Sequence, residues 1–350
     1  MYFTEKRSAK KNKSWLKQKI LSMAFDTGLI RLGRRFWSTS LTVLNYHRID
    51  DPTRSDFDSF KPNVSATPLE FDRQMRYLAR WFNLITINDL VQWLEGRQNL
   101  PPFAALITFD DGYLDNYRFA FPILQKYGFG AVIYLATGHI ATDQPFYWDL
   151  AAYCFSHTQR EYATFPNGSE QAWSGPTERD QILKSWIEAM KKLPEAKKQL
   201  MVSKLPAQLN VSIPQDYFRN LMMTWDHVRE MQGGGLAFGG HTVNHPILTR
   251  VALETARTEI TVSKSTIERE TAQPVLSFAY PNGMARDVNP EIVSVVKEVG
   301  YRTAFTLLNG PSSLREVQKD PFTIRRIFIA SQHTLPEYAA LVSPINRYRN

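Results

Sequence analysis

Leu106-Ile107-Thr108-Phe109-Asp110-Asp111-Gly112 joins an apolar run to two adjacent carboxylates and a glycine. The apolar run spans 103–107 and follows Pro101-Pro102. A short apolar segment after such a break predicts a buried strand. The carboxylates then stand where the strand stops. Neighbouring side chains of an extended segment point to opposite sides, so Asp110 and Asp111 are expected to have different roles. Two adjacent carboxylates repel unless a cation or a proton separates them, which points toward a metal site. A local alternative stands beside it: Asp-Asp-Gly also suits a turn, with one Asp capping the following helix.

Outward from this stretch the chain alternates strand and helix. Upstream, 41–46 is a β-rich run ending at His47, and 50–68 reads as a loop. Thr67-Pro68-Leu69-Glu70 then opens a helix with an N-cap, a proline in the first turn and an acidic residue. A short strand over 82–86 and a helix over 87–96, capped by Asn88, precede the central strand. Downstream, a helix over 117–127 stops at Gly128, and 130–136 is a second buried strand. Residues 140–222 are rich in Lys, Glu, Gln, aromatics and Pro and read as a mostly helical insertion. Helices are expected from Thr224, over 253–269 and over 290–300. Strands are expected at 236–240, 275–280, 301–307 and 324–329. This alternation argues a parallel α/β architecture.

The 350 residues, 43% of them hydrophobic, suffice for a large core. The single cysteine, Cys154, excludes an intramolecular disulfide. The net charge of +8 is confined to one end. Residues 1–40 hold ten Lys and Arg against Glu5 and Asp26, and residues 41–350 hold 32 of each sign. The main domain therefore carries no electrostatic signature of nucleic-acid binding. Residues 1–40 read as a basic tail and an amphipathic helix. Leu21, Phe25, Leu29, Leu32 and Phe36 form an apolar stripe, with Arg31, Arg34 and Arg35 opposite. Such a helix either docks on its own domain or lies on an anionic membrane surface. No run reaches the length of a membrane span, and no apolar core with a cleavage site follows the basic residues. The expected location is cytoplasmic or peripheral to a membrane. The expected organisation is this tail followed by one domain over 41–350.

Four strand ends carry unusual residues: His47, Asp110-Asp111, His241 with His245, and Pro281-Asn282-Gly283. In parallel barrels the C-terminal strand ends share one face, where catalytic groups gather. His241-Thr-Val-Asn-His245 places two imidazoles one helical turn apart. With a carboxylate from Asp110 or Asp111 they make a common catalytic metal set that leaves positions open for water. A cap and a packing histidine would be the bland reading of the pair. Tyr113 and Trp148 suit stacking on a sugar ring or plain packing.

Thr108-Phe-Asp-Asp-Gly112 together with His241-Thr-Val-Asn-His245 resembles the polysaccharide deacetylase family, the NodB homology domain of carbohydrate esterase family 4. The resemblance covers roughly 41–140 and 222–330. It implies a distorted (β/α)7-type barrel and removal of N-acetyl groups from an amino-sugar polymer with a bound divalent metal. That metal would be zinc, with cobalt, nickel or manganese as alternatives. It further implies Asp111, His241 and His245 as ligands, Asp110 as general base and Thr242 as a supporting residue beside the ligand pair. The family's Arg-x-Pro-x-Gly-like motif is only partly present in Ala279-Tyr-Pro-Asn-Gly283, where Ala279 replaces the arginine that orients the base. Tyr280 and Asn282 fall in that segment as substrate-binding candidates. Leu44-Asn-Tyr-His-Arg-Ile49 resembles the N-terminal motif of the circularly permuted poly-N-acetylglucosamine deacetylases, which makes His47 the candidate acid. The expected partner is an N-acetylated amino-sugar polymer or oligomer, with no nucleic acid and a membrane contact only through the N-terminal helix. Two other functions remain open: hydrolysis of a non-sugar amide or cyclic imide, and a non-catalytic carbohydrate-binding barrel.

Overall fold

The computed structural model describes residues 39–343, together with Lys19, residues 21–25 and Thr27. Residues 21–25 are helical, and the Phe25 ring lies 6.1 Å from that of Tyr77. This contact favours docking for that part of the N-terminal helix. The expected tail over 1–13 and Leu29, Leu32, Phe36, Arg31, Arg34 and Arg35 lie outside the described residues. Among the described residues no helix is long and apolar enough to cross a membrane.

Seven parallel strands position the site. They are β1 (Ser40–Tyr46), β2 (Ala104–Asp111), β3 (Val132–Leu135), β4 (Ala237–Gly240), β5 (Ser277–Ala279), β6 (Thr303–Phe305) and β7 (Ile327–Phe328). Each pairs in parallel with its successor from β1 through β6. The sheet then curls back on itself. Ile324 bridges to Phe305 of β6, and Ile327 and Phe328 pair with Leu44 and Asn45 of β1. The result is the distorted barrel that the alternation of strands and helices predicts. Ser312–Ser313 adds an antiparallel pair to the start of β1, and Asn83–Leu84 pairs beside the start of β2.

Alternation along each strand sorts the core into two layers. Leu41 and Val43, Leu106, Val132 and Tyr134, Ala279 and Phe305 form an inner cluster. Leu44 and Tyr46, Ile107 and Phe109, and Ile133 and Leu135 join an outer cluster with the surrounding helices. The inner period continues upward through Asn45, Thr108 and Asp110, which are polar and buried. The barrel core is thus apolar below and polar at its C-terminal end.

The covering helices begin with α1 (Pro68–Trp81), where Thr67 Oγ accepts the Glu70 N–H at 3.2 Å, as the sequence predicts. Helix α2 (Ile87–Leu94) is capped by Thr86, not Asn88. Asp89 completes a capping box with Thr86, which places the cap two residues before Asn88 and leaves the helix start at Ile87 as expected. After β2 a π-turn over Asn116–Ala120 runs into α3 (Phe121–Tyr127), which ends at left-handed Gly128. The insertion contributes α4 (Tyr147–His157), α5 (Pro176–Met190) and α6 (Glu195–Gln208). It also contains an antiparallel hairpin, Tyr162–Thr164 with Glu170–Ala172, turned at Asn167-Gly168. Asn-Gly is the standard short-hairpin signal, so the insertion is helical with one hairpin. Helix α7 (Trp225–Gly233) precedes β4, α8 (Leu253–Thr271) follows it, and α9 (Pro290–Glu298) lies between β5 and β6.

Candidate active site

Asp110 and Asp111 end β2, and they do diverge. Asp110 continues the inner face, where the guanidinium of Arg326 meets it edge-on. Arg326 Nη1 donates to Oδ1 at 2.6 Å and Nη2 to Oδ2 at 2.8 Å, while Asn45 Nδ2 donates to Oδ2 at 2.9 Å. Arg326 is fully buried, donates through Nε to the Thr306 carbonyl at 3.1 Å, and lies 5.6 Å from the Tyr134 ring centroid. Burial raises the Asp110 carboxyl, but Arg326, His241 and His47 outweigh it and bring the group down to about 2. Asp110 is therefore an ionised, tightly held carboxylate. An arginine does hold Asp110, but it comes from position 326, just before β7, a residue that sequence reading missed.

Asp111 has the opposite environment. Its backbone turns left-handed (φ +78°), as does Gly112 (φ +89°). A side chain at Gly112 would also meet Ile140 and Leu135 within 3 Å, so only glycine fits after the carboxylate pair. Both Asp111 carboxylate oxygens are buried and have no hydrogen-bond partner. Burial and the neighbouring Asp110 push this carboxyl well above its ordinary range.

The histidines face these orphaned oxygens. His241 Nε2 lies 3.7 Å and His245 Nε2 3.6 Å from Asp111 Oδ1. One ligand atom from each of the three residues falls within 4.8 Å of the others. His241 Nδ1 contacts the Ala279 carbonyl at 2.7 Å, which turns Nε2 toward Asp111. Burial lowers the proton affinity of both imidazoles, so both present neutral nitrogens. The histidine pair is not on a helix. The segment is a turn in which Thr242 (φ +69°) and His245 (φ +56°) are left-handed. Pro246 follows His245 and disfavours the α conformation there. Thr242 Oγ accepts the His245 N–H at 3.0 Å. Glu259 of α8 clamps the turn, accepting the N–H groups of Val243 (2.7 Å) and Asn244 (2.8 Å). Glu259 was also missed by sequence reading. A neutral imidazole pair and an unpaired buried carboxylate form a donor set suited to a divalent cation.

His47 stands on the other side of Asp110, with Nε2 4.0 Å from Oδ2. Its backbone is fixed at both ends, by its N–H to Ser65 Oγ (2.9 Å) and by Asn116 Nδ2 to its carbonyl (2.7 Å). Its ring packs edge-on against Phe328. Burial lowers its proton affinity to about 4 although Asp110 opposes this.

These groups share a cavity of about 750 Å³ whose lining includes His47, Asp110, Asp111, His241, His245 and Asn282. Trp148 joins the wall and meets His245 edge-on at 5.0 Å. Two expected contacts differ. Tyr280 is wholly buried and donates to the Phe322 carbonyl at 3.0 Å, so its ring does not reach the cavity. Tyr113 is likewise buried, donating to Asp149 at 2.6 Å and accepting Trp148 Nε1 at 2.7 Å. Asn282 does line the cavity, but its side chain is spent on the Asp287 carboxylate.

The polysaccharide deacetylase family profile matches residues 97–304, more than half of the chain. The chain belongs to the polysaccharide deacetylase family. The chain is 32% identical over 117 residues to the poly-β-1,6-N-acetyl-D-glucosamine N-deacetylase of Staphylococcus epidermidis, which is 31% of this chain and 40% of that protein. It spans less than half the length of the curated relatives it matches. Among solved structures, the Streptococcus pyogenes deacetylase PplD, in complex with acetate, aligns with a TM-score of 0.57 at 18% identity, covering 87% of this chain and 98% of that one. IcaB from Ammonifex degensii aligns with a TM-score of 0.55 at 18% identity, covering 87% and 97%. At these identities the structures establish the shared fold.

Proposed function

We propose that this deacetylase-family chain is a metal-dependent hydrolase that removes N-acetyl groups from an amino-sugar polysaccharide or oligosaccharide. The observation that carries the reading is the division of labour at the end of β2. Asp111 is an unpaired buried carboxylate facing two neutral imidazoles, while Asp110 is ionised and clamped by Arg326.

Asp111, His241 and His245 would hold a divalent cation, zinc fitting the nitrogen-rich set best. Such a cation supplies Lewis acidity toward an acetamide oxygen and toward water. The protein's own groups do the rest. Asp110 accepts the proton of the attacking water, and Arg326 and Asn45 fix which of its lone pairs face the cavity. A backbone N–H near Asn282 helps hold the developing oxyanion. His47, neutral at rest and 4.0 Å from Asp110, would relay the proton that Asp110 takes from water to the departing amine, which would otherwise leave as an amide anion. Arg326 answers the principal objection to catalysis, the arginine missing at 279, so a non-catalytic barrel is disfavoured. The cavity of about 750 Å³ accommodates far more than a small amide or imide, which favours a sugar chain.

The test is acetate release from N-acetylglucosamine oligomers by zinc-loaded protein, beside Asp111→Asn and His241→Ala variants. Acetate from the parent chain and none from the variants is expected. Stoichiometric zinc with no acetate from any N-acetylated amino sugar would overturn the reading.

A further inference from the structure

We propose that a second cavity beside the active-site cavity is a distal subsite for the same glycan chain, and that it receives a negatively charged sugar unit. This rests on the reading of the active cavity as a sugar N-deacetylase site.

The second cavity measures about 420 Å³. It shares Phe60, Lys61, Pro62 and Lys184 with the active cavity, so the two adjoin. Their walls are continuous. Lys184, Ile187 and Glu188 of α5, with Lys191 at its C-cap, line the active cavity. They recur at i, i+3, i+4 and i+7, which is one helix face. Arg179, Asp180 and Leu183, in the preceding turns of α5, line the second cavity. At the α-helical rise, Arg179 to Lys191 spans roughly 18 Å. The opposite wall is also a single segment, within residues 52–63. A lone amino sugar engages only the first station along this helix. A chain lying along α5 engages both.

The charges identify the class of unit. Two of the three acidic groups of the second cavity are ion-paired, and the third accepts a neutral hydroxyl, which balances no charge, so four Lys and Arg side chains face three aspartates. Asp56 pairs with Arg54 at 3.0 Å, Asp180 with Lys61 at 3.4 Å, and Asp58 accepts the Tyr217 hydroxyl. The cations are in excess. Arg179 reaches the Ser156 carbonyl at 3.5 Å and no carboxylate, and Lys184 has no carboxylate within ion-pairing distance, among the described residues. Lys184 is exposed and Arg179 half-buried, so an arriving carboxylate meets cations still in contact with water and no fully buried ion must be stripped of it. Two contacts of this kind predict a preference of about five- to tenfold. Salt should screen that preference.

Binding separates this inference from the catalytic reading. The zinc-loaded full chain carrying Asp110→Asn is titrated by calorimetry with two hexasaccharides. One is neutral poly-N-acetylglucosamine, and the other alternates N-acetylglucosamine with glucuronic acid. The acidic hexamer should bind about five- to tenfold tighter at low salt. High salt, or adding Arg179→Gln and Lys184→Gln, should bring the ratio near unity, and Arg179→Glu with Lys184→Glu should invert it. Circular dichroism verifies that each variant is folded. A disaccharide of either kind, too short to reach Arg179, should show at most the part of the preference that Lys184, shared by both cavities, supplies. Equal binding of the two hexamers, a preference that survives both substitutions, or no binding of either hexamer would overturn the proposal. Failure of the parent chain to release acetate, with the binding preference intact, would overturn the catalytic reading alone.

Discussion

Replacing Arg326 by methionine should disable the base and destabilise the fold together, and the two effects can be separated. Methionine keeps much of the length and packs against Tyr134, so the perturbation is chiefly the loss of charge and donors. Two short bonds to Asp110, at 2.6 and 2.8 Å, vanish, leaving the buried carboxylate with Asn45 alone. Removing one partner of a buried pair costs about 3–5 kcal/mol, because the surviving charge stays desolvated. The proton affinity gives an independent scale. Holding Asp110 at about 2 against the ordinary 3.8 corresponds to roughly 2.5 kcal/mol in favour of the carboxylate, a net effect of burial and attraction. Without Arg326 the burial effect is opposed only by the two histidines and Asn45, so the Asp110 carboxyl rises.

The sign for pH follows. In the parent, Asp110 has a depressed value when folded, so its contribution to stability is full above about 4 and fades as pH falls toward 2. In the variant that contribution is gone, and the acidic limb of the pH–kcat/KM profile moves to higher pH. At the optimum, kcat should fall about 10²–10⁴-fold as the base loses its orientation. Chemical denaturation and the pH–rate profile are the assays. Adding Asp110→Asn to the Arg326→Met protein removes the stranded charge and should recover about 2 kcal/mol or more of stability, though no activity. The reasoning fails if Arg326→Met keeps parental stability and kcat, or if the double variant is no more stable than Arg326→Met alone.

Three further outcomes follow from the same geometry. His47→Ala should lose about 10²–10⁴-fold on N-acetyl sugars yet hydrolyse 4-nitrophenyl acetate nearly as well as the parent, since that leaving group needs no acid; equal losses on both substrates would remove His47 from the acid role. Zinc should raise the melting temperature more at pH 8 than at pH 5, because the folded Asp111 carboxyl is raised and must shed its proton to bind metal; a shift independent of pH, or one surviving Asp111→Asn, would contradict the ligand assignment. Tyr280→Phe should cost about 1 kcal/mol in denaturation, the usual worth of its hydrogen bond to Phe322, with kcat/KM unchanged; a selective loss of activity would return Tyr280 to the substrate.

What the sequence disclosed and what it withheld divide along physical lines. Strands and helices were legible wherever period and caps agreed, as in β1, β2 and α1, because those signals are local. The candidate metal set was legible because each of its two pieces is a short contiguous motif at a strand end. Arg326 was not, since its partner lies 216 residues away and only the curling of the sheet brings them together. A signal existed nonetheless. An arginine inside the apolar run Ile324-Arg-Arg-Ile-Phe-Ile329 must bury its charge if the strand is internal, and so demands a carboxylate. Glu259 gave no comparable sign, because an acid midway along α8 looks like any solvated helix residue. The His241/His245 spacing misled for the opposite reason. A four-residue interval suits a helical turn, but Pro246 argued for a different backbone.

The strand order explains why the two carboxylates of one pair meet different partners. In the sheet, β7 lies beside β1, and β1 beside β2. The residue just before β7 therefore delivers Arg326, the residue just after β1 delivers His47, and both reach the inner-face oxygens of Asp110. The metal set comes from the other direction, through β3 to β4, whose end delivers His241 and His245. Asp111 turns toward that side only by adopting φ +78°, a conformation that disfavours a β-carbon. Thr242, His245 and Asn282 share that left-handed region, so four strained residues cluster around one cavity. At Asp111 and His245 the left-handed backbone turns the candidate ligand atoms toward a common point, where a bound cation would offset part of the strain. The Asp111→Asn substitution keeps the shape and the strain while removing the charge. It should therefore abolish zinc binding without unlocking the turn, and Asp111→Gly should relieve the strain and stabilise the metal-free protein while binding none.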